Sequence, residues 1–178
     1  VTSLHVPIPQ GVLMAGRPAT HEVSVERVLP LDAGDAWDLL VDARHHARWI
    51  PLTRVDAPPP ALGVQVVAVS GPFARRGAPG LADRMRIDRF EPPAGDAPGV
   101  AVFTKQGPLL LGEARIEIAG AGPGRARVTW SERVHLAGPL PAAVTGRLMA
   151  PVLRGMLRFA LARAVLEVAG ATNRRRRA

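Results

Sequence analysis

The stretch that decides the fold runs from Arg125 to Val168, RARVTWSERVHLAGPLPAAVTGRLMAPVLRGMLRFALARAVLEV. Its first part, Arg125–His135, alternates, so Val128, Trp130, Glu132 and Val134 share one face of a strand. Its last part repeats at helical spacing: Val152, Met156, Phe159, Ala160 and Leu166 form one apolar face, and Arg147, Arg154 and Arg158 cluster on another. The period thus switches from two to about 3.6 after His135. A strand hands over to a long amphipathic helix that includes Val152–Val168. Pro151 either kinks this helix or marks where its regular part begins.

Upstream, the same reasoning gives a strand over His21–Leu29, closed by Pro30. Asp32 stands at an N-cap position with Asp35 in the first turn, and Ala33, Trp37, Leu40 and Val41 follow at helical spacing. A second short helix is predicted over Ala43–Arg48. Further strands are predicted near Leu52–Asp56, Gly63–Ser70, Ala82–Phe90, Val100–Gln106 and Leu110–Ala119, punctuated by Pro58-Pro59-Pro60, Pro92-Pro93 and the run Gly120–Gly124. The gaps between them suit antiparallel hairpins and leave no room for crossover helices. One curved seven-stranded sheet therefore has a face to bury, and a single long helix is available to bury it. One helix does not fill so wide a concavity, so a cavity is expected, of the kind that takes apolar ligands.

The chain of 178 residues fits one α+β domain, residues 21–170, between an N-terminal extension, residues 1–20, and a basic tail, residues 171–178. The two ends show no sustained period and are expected to be poorly ordered; Met14 is an alternative start. The net charge is +8, four of it from Arg174 to Arg177, which leaves +4 for the remainder. Lys105 is the only lysine. The arginine bias, with abundant Ala, Gly and Pro, looks like GC-rich bacterial coding and says little about function. With no cysteine, disulfide and thiol chemistry are excluded. No apolar run reaches the roughly 18 residues of a membrane span, and a cytoplasmic, soluble protein is the expectation.

Several signatures, in order, resemble the START-like superfamily, also called the SRPBCC or helix-grip group, and within it the polyketide cyclase/dehydrase and lipid-transport branch. They are Pro30-x-Asp32, Ala36-Trp37-Asp38-Leu39-Leu40 with Asp42, Trp49, Gly63, Arg127-Val128-Thr129-Trp130, Pro151-x-x-Arg154 and Glu167, spread over roughly His21 to Gly170. The resemblance implies a helix-grip fold with two short helices after the first strand, and an internal hydrophobic pocket. It does not imply one chemistry, since a fold hosts many functions.

The pocket is expected to be bounded by Trp49, Met85, Val102, Thr104, Trp130, Met156 and Phe159, with Glu132 as its main polar anchor. A buried carboxylate is costly unless paired or protonated. Two readings of Glu132 stay open: it serves a ligand, as an orienting group or a weak candidate acid/base, or it is held in a structural ion pair with an arginine such as Arg89 or Arg115. The segment Pro72–Gly80 reads as a gate over the cavity, with Phe73 as its apolar tip and Arg75-Arg76 recruiting an anionic ligand, or as an ordinary solvated loop. The neighbouring His45 and His46 point about 100° apart on a helix, so they do not chelate one metal and read as surface residues. His135 is expected near the pocket mouth, exposed. The Gly120-x-Gly122-x-Gly124 run joins two strands and is no dinucleotide loop. Neither cofactor nor metal is expected, and no specific nucleic-acid binding.

Three functions follow from this reading. The first is a carrier or sensor of an apolar polyketide-, lipid- or aromatic-like molecule. The second is a cyclase or aromatase on such a molecule, in which Glu132 and an arginine would steer an enolisation; with tyrosine absent, any route through a pocket tyrosine is closed. The third is an accessory protein that binds a partner through its tail or helix face.

Overall fold

A computed structural model describes residues 21–177, with side chains to residue 171. Seven strands form one antiparallel sheet: β1 (Glu22–Leu29), β2 (Thr53–Asp56), β3 (Gln65–Ser70), β4 (Leu81–Glu91), β5 (Gly99–Pro108), β6 (Leu110–Gly120) and β7 (Ala126–Leu136). Their spatial order is β1-β7-β6-β5-β4-β3-β2. Sequential hairpins build the run from β2 to β7, and β1 then closes on the far edge, with Glu22 opposite Arg133 and Leu29 opposite Ala126. Between β1 and β2 lie α1 (Ala33–Val41), a 3-10 turn (Ala43–His45) and the single-turn α2 (His46–Trp49). The long helix α3 (Ala142–Arg177) packs on β1 and β7.

The elements form where the patterning puts them, and α3 includes the expected Val152–Val168. The helix starts ten residues before Val152 and carries Pro151 inside it. It also continues through Arg174–Arg177, so no break in secondary structure separates the expected tail from the domain. Ala and Arg are strong helix formers, and once a helix is nucleated by packing they extend it without needing a buried face. The expected extension, residues 1–20 with Met14, lies outside the described residues.

The helical face turned to the sheet also differs from the expected one. Leu153, Leu157, Ala160, Leu161, Ala164 and Val168 are buried, whereas Val152, Phe159 and Leu166 are exposed. Both stripes repeat at helical spacing. Ala160 belongs to the expected stripe and is buried, and the rest of the buried stripe is made by Leu153, Leu157, Leu161, Ala164 and Val168. At the other end of the core, Gly99 packs against Trp37, leaving no room for a Cβ, and Trp37 meets Phe90 edge-on at 5.3 Å.

On β6 the chain passes β7 so closely at Gly112 (φ 122°) that a Cβ would lie 1.9 Å from the Arg133 carbonyl oxygen. Only glycine suits that backbone and that approach. With Ala114 two residues on, the middle of the sheet presents two small residues between the inward side chains of β5 and β7.

Candidate functional site

Between α3 and the concave face lies a cavity of about 230 Å³. Most of its wall is apolar, with Val66, Phe103, Ile116 and Val134 from the sheet and Leu153 and Met156 from α3. Leu81 and Val152 touch it and are also largely exposed, which marks its rim.

Alternation puts Asp83 on the same face as Met85, Lys105 on the same face as Phe103, and Glu132 on the same face as Trp130; all six line the cavity. Lys105 is buried and donates to Asp83 Oδ2 at 2.5 Å, with Met85 Sδ 3.7 Å away. Burial opposes its charge, but Glu132 and Asp83 outweigh that and hold its pKa above the usual lysine range. Glu132 is 4% exposed. Burial raises its pKa above that of an ordinary carboxyl; Lys105 pulls the other way and Asp83 adds to the rise. Asp83 Oδ1, Glu132 Oε2 and Trp130 Nε1 are buried without a hydrogen-bond partner. Native proteins leave few such atoms, so three on one cavity wall require an explanation.

His46 completes the polar part of the wall. Its Nε2 lies 2.7 Å from the Leu40 carbonyl oxygen, which only accepts, so Nε2 carries the proton and Nδ1 keeps a lone pair. Burial, partly opposed by that bond, pushes its pKa down to about 4, so the ring is neutral at pH 7. It packs 4.9 Å from the Trp130 ring. The surface reading of this histidine is therefore overturned: the turn after α1 folds inward at His46 while His45 stays half-buried, its Nδ1 on the Leu39 carbonyl.

Of the expected lining residues, Met85, Trp130, Glu132 and Met156 are on the wall. Trp49 is not. It is buried beside the cavity, and its Nε1 donates to Glu167 Oε2 at 2.8 Å, tying α2 to α3. Val102 and Thr104 are also off the wall, because β5 runs in the opposite parity and turns Ala101, Phe103 and Lys105 inward. A one-residue change of register moves every side chain to the other face. Phe159 points outward, with the Arg163 guanidinium 5.9 Å from its ring.

The expected arginine partners of Glu132 are elsewhere. Arg89 pairs with Glu91 at 2.5 Å and Arg115 with Glu117 at 2.7 Å, while the cation facing Glu132 is Lys105. In the segment Pro72–Gly80, Phe73 is exposed with Arg76 stacked on it, whereas Arg75 is spent on the backbone carbonyls of Ala47, Ile50 and Thr53. That clamp, not an anion, takes up the Arg75 guanidinium. His135 is partly buried, with an unpartnered Nδ1.

Sequence reasoning missed Lys105 and His46. For Lys105 a signal was present: a chain that uses arginine almost everywhere keeps its one lysine. A lysine ammonium is a compact point charge on a flexible stem, with a pKa that its surroundings shift readily when it is buried.

This architecture can be set beside known proteins. The model of the family described as polyketide cyclase / dehydrase and lipid transport matches residues 20–168. The chain belongs to this family. The chain is similar in fold to a hypothetical protein of Helicobacter pylori at 13% identity, covering 94% of this chain and 98% of that one, with a TM-score of 0.65. It is similar to the Zhui aromatase/cyclase of Streptomyces sp. R1128 at 16% identity, covering 89% and 97%, TM-score 0.59. A START superfamily protein of Mycobacterium smegmatis matches at 17% identity, covering 83% and 98%, TM-score 0.53. At such identities the likeness concerns the fold of this family member. No curated protein matches its sequence. Among the described residues, no helix is long and apolar enough to cross a membrane.

Proposed function

We propose that the protein binds a compact apolar molecule in the cavity between α3 and the sheet, as a carrier or sensor. The observation that carries this reading is the cavity itself, about 230 Å³ with a mainly apolar wall. Its volume lies between the ~150 Å³ of an engineered apolar cavity that accepts benzene and the ~300–1,000 Å³ of drug-sized sites. Family membership and the aromatase/cyclase among its fold relatives agree with such a ligand. Native mass spectrometry and melting shifts with a panel of one- to three-ring aromatic compounds and short fatty acids test it. Stoichiometric binding of at least one ring compound is expected. If none binds, the cavity is only a packing gap and the reading fails.

A second, enzymatic reading has one observation in its favour: a neutral imidazole with a free lone pair and a carboxyl of raised pKa share the cavity wall. That is an acid and a base held apart in protonation state, as proton abstraction next to a carbonyl requires. Among the described residues, the cavity wall carries no arginine. The cation on the described wall, Lys105, takes the place the sequence reading gave to an arginine. Deuterium uptake at the α-carbon of 1-tetralone in D₂O, followed by NMR, decides this. Uptake above the uncatalysed rate that falls in His46→Gln supports catalysis, and a rate equal to the uncatalysed one removes it.

A further inference from the structure

We infer that the molecule held in this cavity is uncharged and carries a hydroxyl group, a phenol or an alcohol, seated against Asp83, Lys105, Glu132 and Trp130. This rests on the binding function proposed above and names the ligand's chemistry.

The first argument is one of unmade bonds. Asp83 Oδ1 is an acceptor, Trp130 Nε1 is a donor, and both are buried without partners, as is Glu132 Oε2. All three side chains line the same cavity. Leaving a buried polar atom unpaired costs more than a hydrogen bond usually yields, so such a wall discriminates strongly in favour of a ligand that completes it. A hydroxyl is the smallest group that donates and accepts at once. A ketone or ether offers acceptors alone and leaves the carboxylate oxygen of Asp83 unpaired.

The second argument is one of charge. The Lys105 ammonium is already in contact with Asp83 Oδ2 at 2.5 Å. The protein's own charges balance when Glu132 keeps its proton, the form that burial and Asp83 favour and Lys105 opposes, with the net direction toward the protonated form. A ligand carboxylate would find the cation taken and two carboxyl groups for neighbours, and like charges repel strongly where water is excluded. A ligand ammonium would have to displace Lys105 from Asp83 or force Glu132 to ionise. A neutral hydroxyl does neither.

The test uses the full chain and four bicyclic probes of one shape: naphthalene, 2-naphthol, 2-naphthoate and 2-naphthylmethylamine. Affinities are read at pH 7 by fluorescence titration and native mass spectrometry. The expected order is naphthol first, with naphthalene weaker by roughly ten- to a hundredfold and the two charged probes weaker than naphthalene. In Glu132→Gln, the naphthol advantage is expected to shrink while naphthalene affinity holds, which also shows that the variant keeps its cavity. Naphthalene binding as tightly as naphthol, or either charged probe binding tighter than naphthol, overturns the inference and leaves the proposed function intact. Failure of all four probes overturns the proposed function itself. Should Glu132→Gln not fold, the wild-type order alone decides.

Discussion

The two faces of the sheet carry ion pairs of opposite character. On the convex face, Arg86–Asp88, Arg89–Glu91, Arg115–Glu117 and Arg127–Glu26 join side chains that are about one third to more than half exposed. Arg133 reaches both Glu22 on β1 and Glu113 on β6. On the concave face, Lys105–Asp83 joins side chains that are 5% and 17% exposed. Exposed pairs are screened by water and contribute little, about 0–1 kcal/mol. A buried pair contributes little net stability either, yet becomes very costly when one partner is removed, because the other charge is left without water or a counter-ion. The outer pairs are thus interchangeable surface, and the inner pair is a commitment of the fold to a polar spot within an apolar wall.

The sharpest way to break this comparison is Lys105→Met. It leaves Asp83 and Glu132 facing each other without a cation, and a loss of about 3–5 kcal/mol in urea unfolding at pH 7 is expected. Adding Asp83→Asn to Lys105→Met should recover most of that loss. A single-variant loss no larger than that of a surface pair would erase the distinction between the faces.

A slightly smaller effect is expected from His46, through pH. The unfolded chain binds a proton at this histidine as pH falls through about 6.5, while the folded ring stays neutral until about 4. Between these values the unfolded state holds more protons, so stability falls as pH falls, by up to ~3 kcal/mol in all, and levels off below about 4. His46→Gln should remove this component from the pH dependence of unfolding. An unchanged slope between pH 6.5 and 4 would show that the ring is not desolvated.

Glu132→Gln sharpens the contrast in the other direction. The folded carboxyl has a raised pKa, so the folded state holds the extra proton above the ordinary glutamate value near 4.5, and native stability drops as pH rises from there. The glutamine variant should lose none of that. Chemical unfolding at pH 5 and pH 8 should show the variant gaining on the wild type as pH increases. A variant that loses ground instead would mean that Glu132 is ionised and paired.

The smallest effect belongs to the outer face. Arg115→Ala should shift stability by about 0.5 kcal/mol or less, discounted for solvent screening. A thermal melt in low and high salt checks it; a large, salt-insensitive loss would show that the convex pairs are more than surface.

The fold was legible because each strand has one face to hide and because the period changes once, after His135. The cavity was legible only where alternation was unambiguous. On β7, Val128, Trp130 and Val134 fixed the inward face, and Glu132 came with them. On β5 both faces are equally apolar in Val100-Ala101-Val102-Phe103, and a lysine at 105 argues for turning that parity outward. The carboxyls of Glu132 and of Asp83, the latter on the neighbouring strand across a register shift between Asp83 and Met85, make burial of Lys105 acceptable, and strand pairing of that kind has no trace in local sequence. Phe159 misled for a related reason. The exposed side of α3 repeats apolar residues as regularly as the buried side does, so period alone does not say which stripe meets the sheet. His46 was hidden by its neighbour, since two adjacent polar rings look like surface until the turn after α1 is seen to fold one of them inward.

The pairing of β1 with β7 has a consequence for how the molecule is made. Glu22 leaves the ribosome long before Arg133, its partner across the ladder. Until then β1 has no neighbour on either edge, while β2 to β6 already zip by short hairpins. A lone strand with unpaired backbone is an invitation to stick to other chains. Among the described elements, β7 and then α3 emerge after the other strands, and they are the ones that seal the sheet and roof the cavity. The polar spot at Lys105 is therefore still open to water when its own strand forms, and it is desolvated only once β7 and α3 have packed. Any guest present in the nascent chain's surroundings meets the half-built chamber before the door is hung.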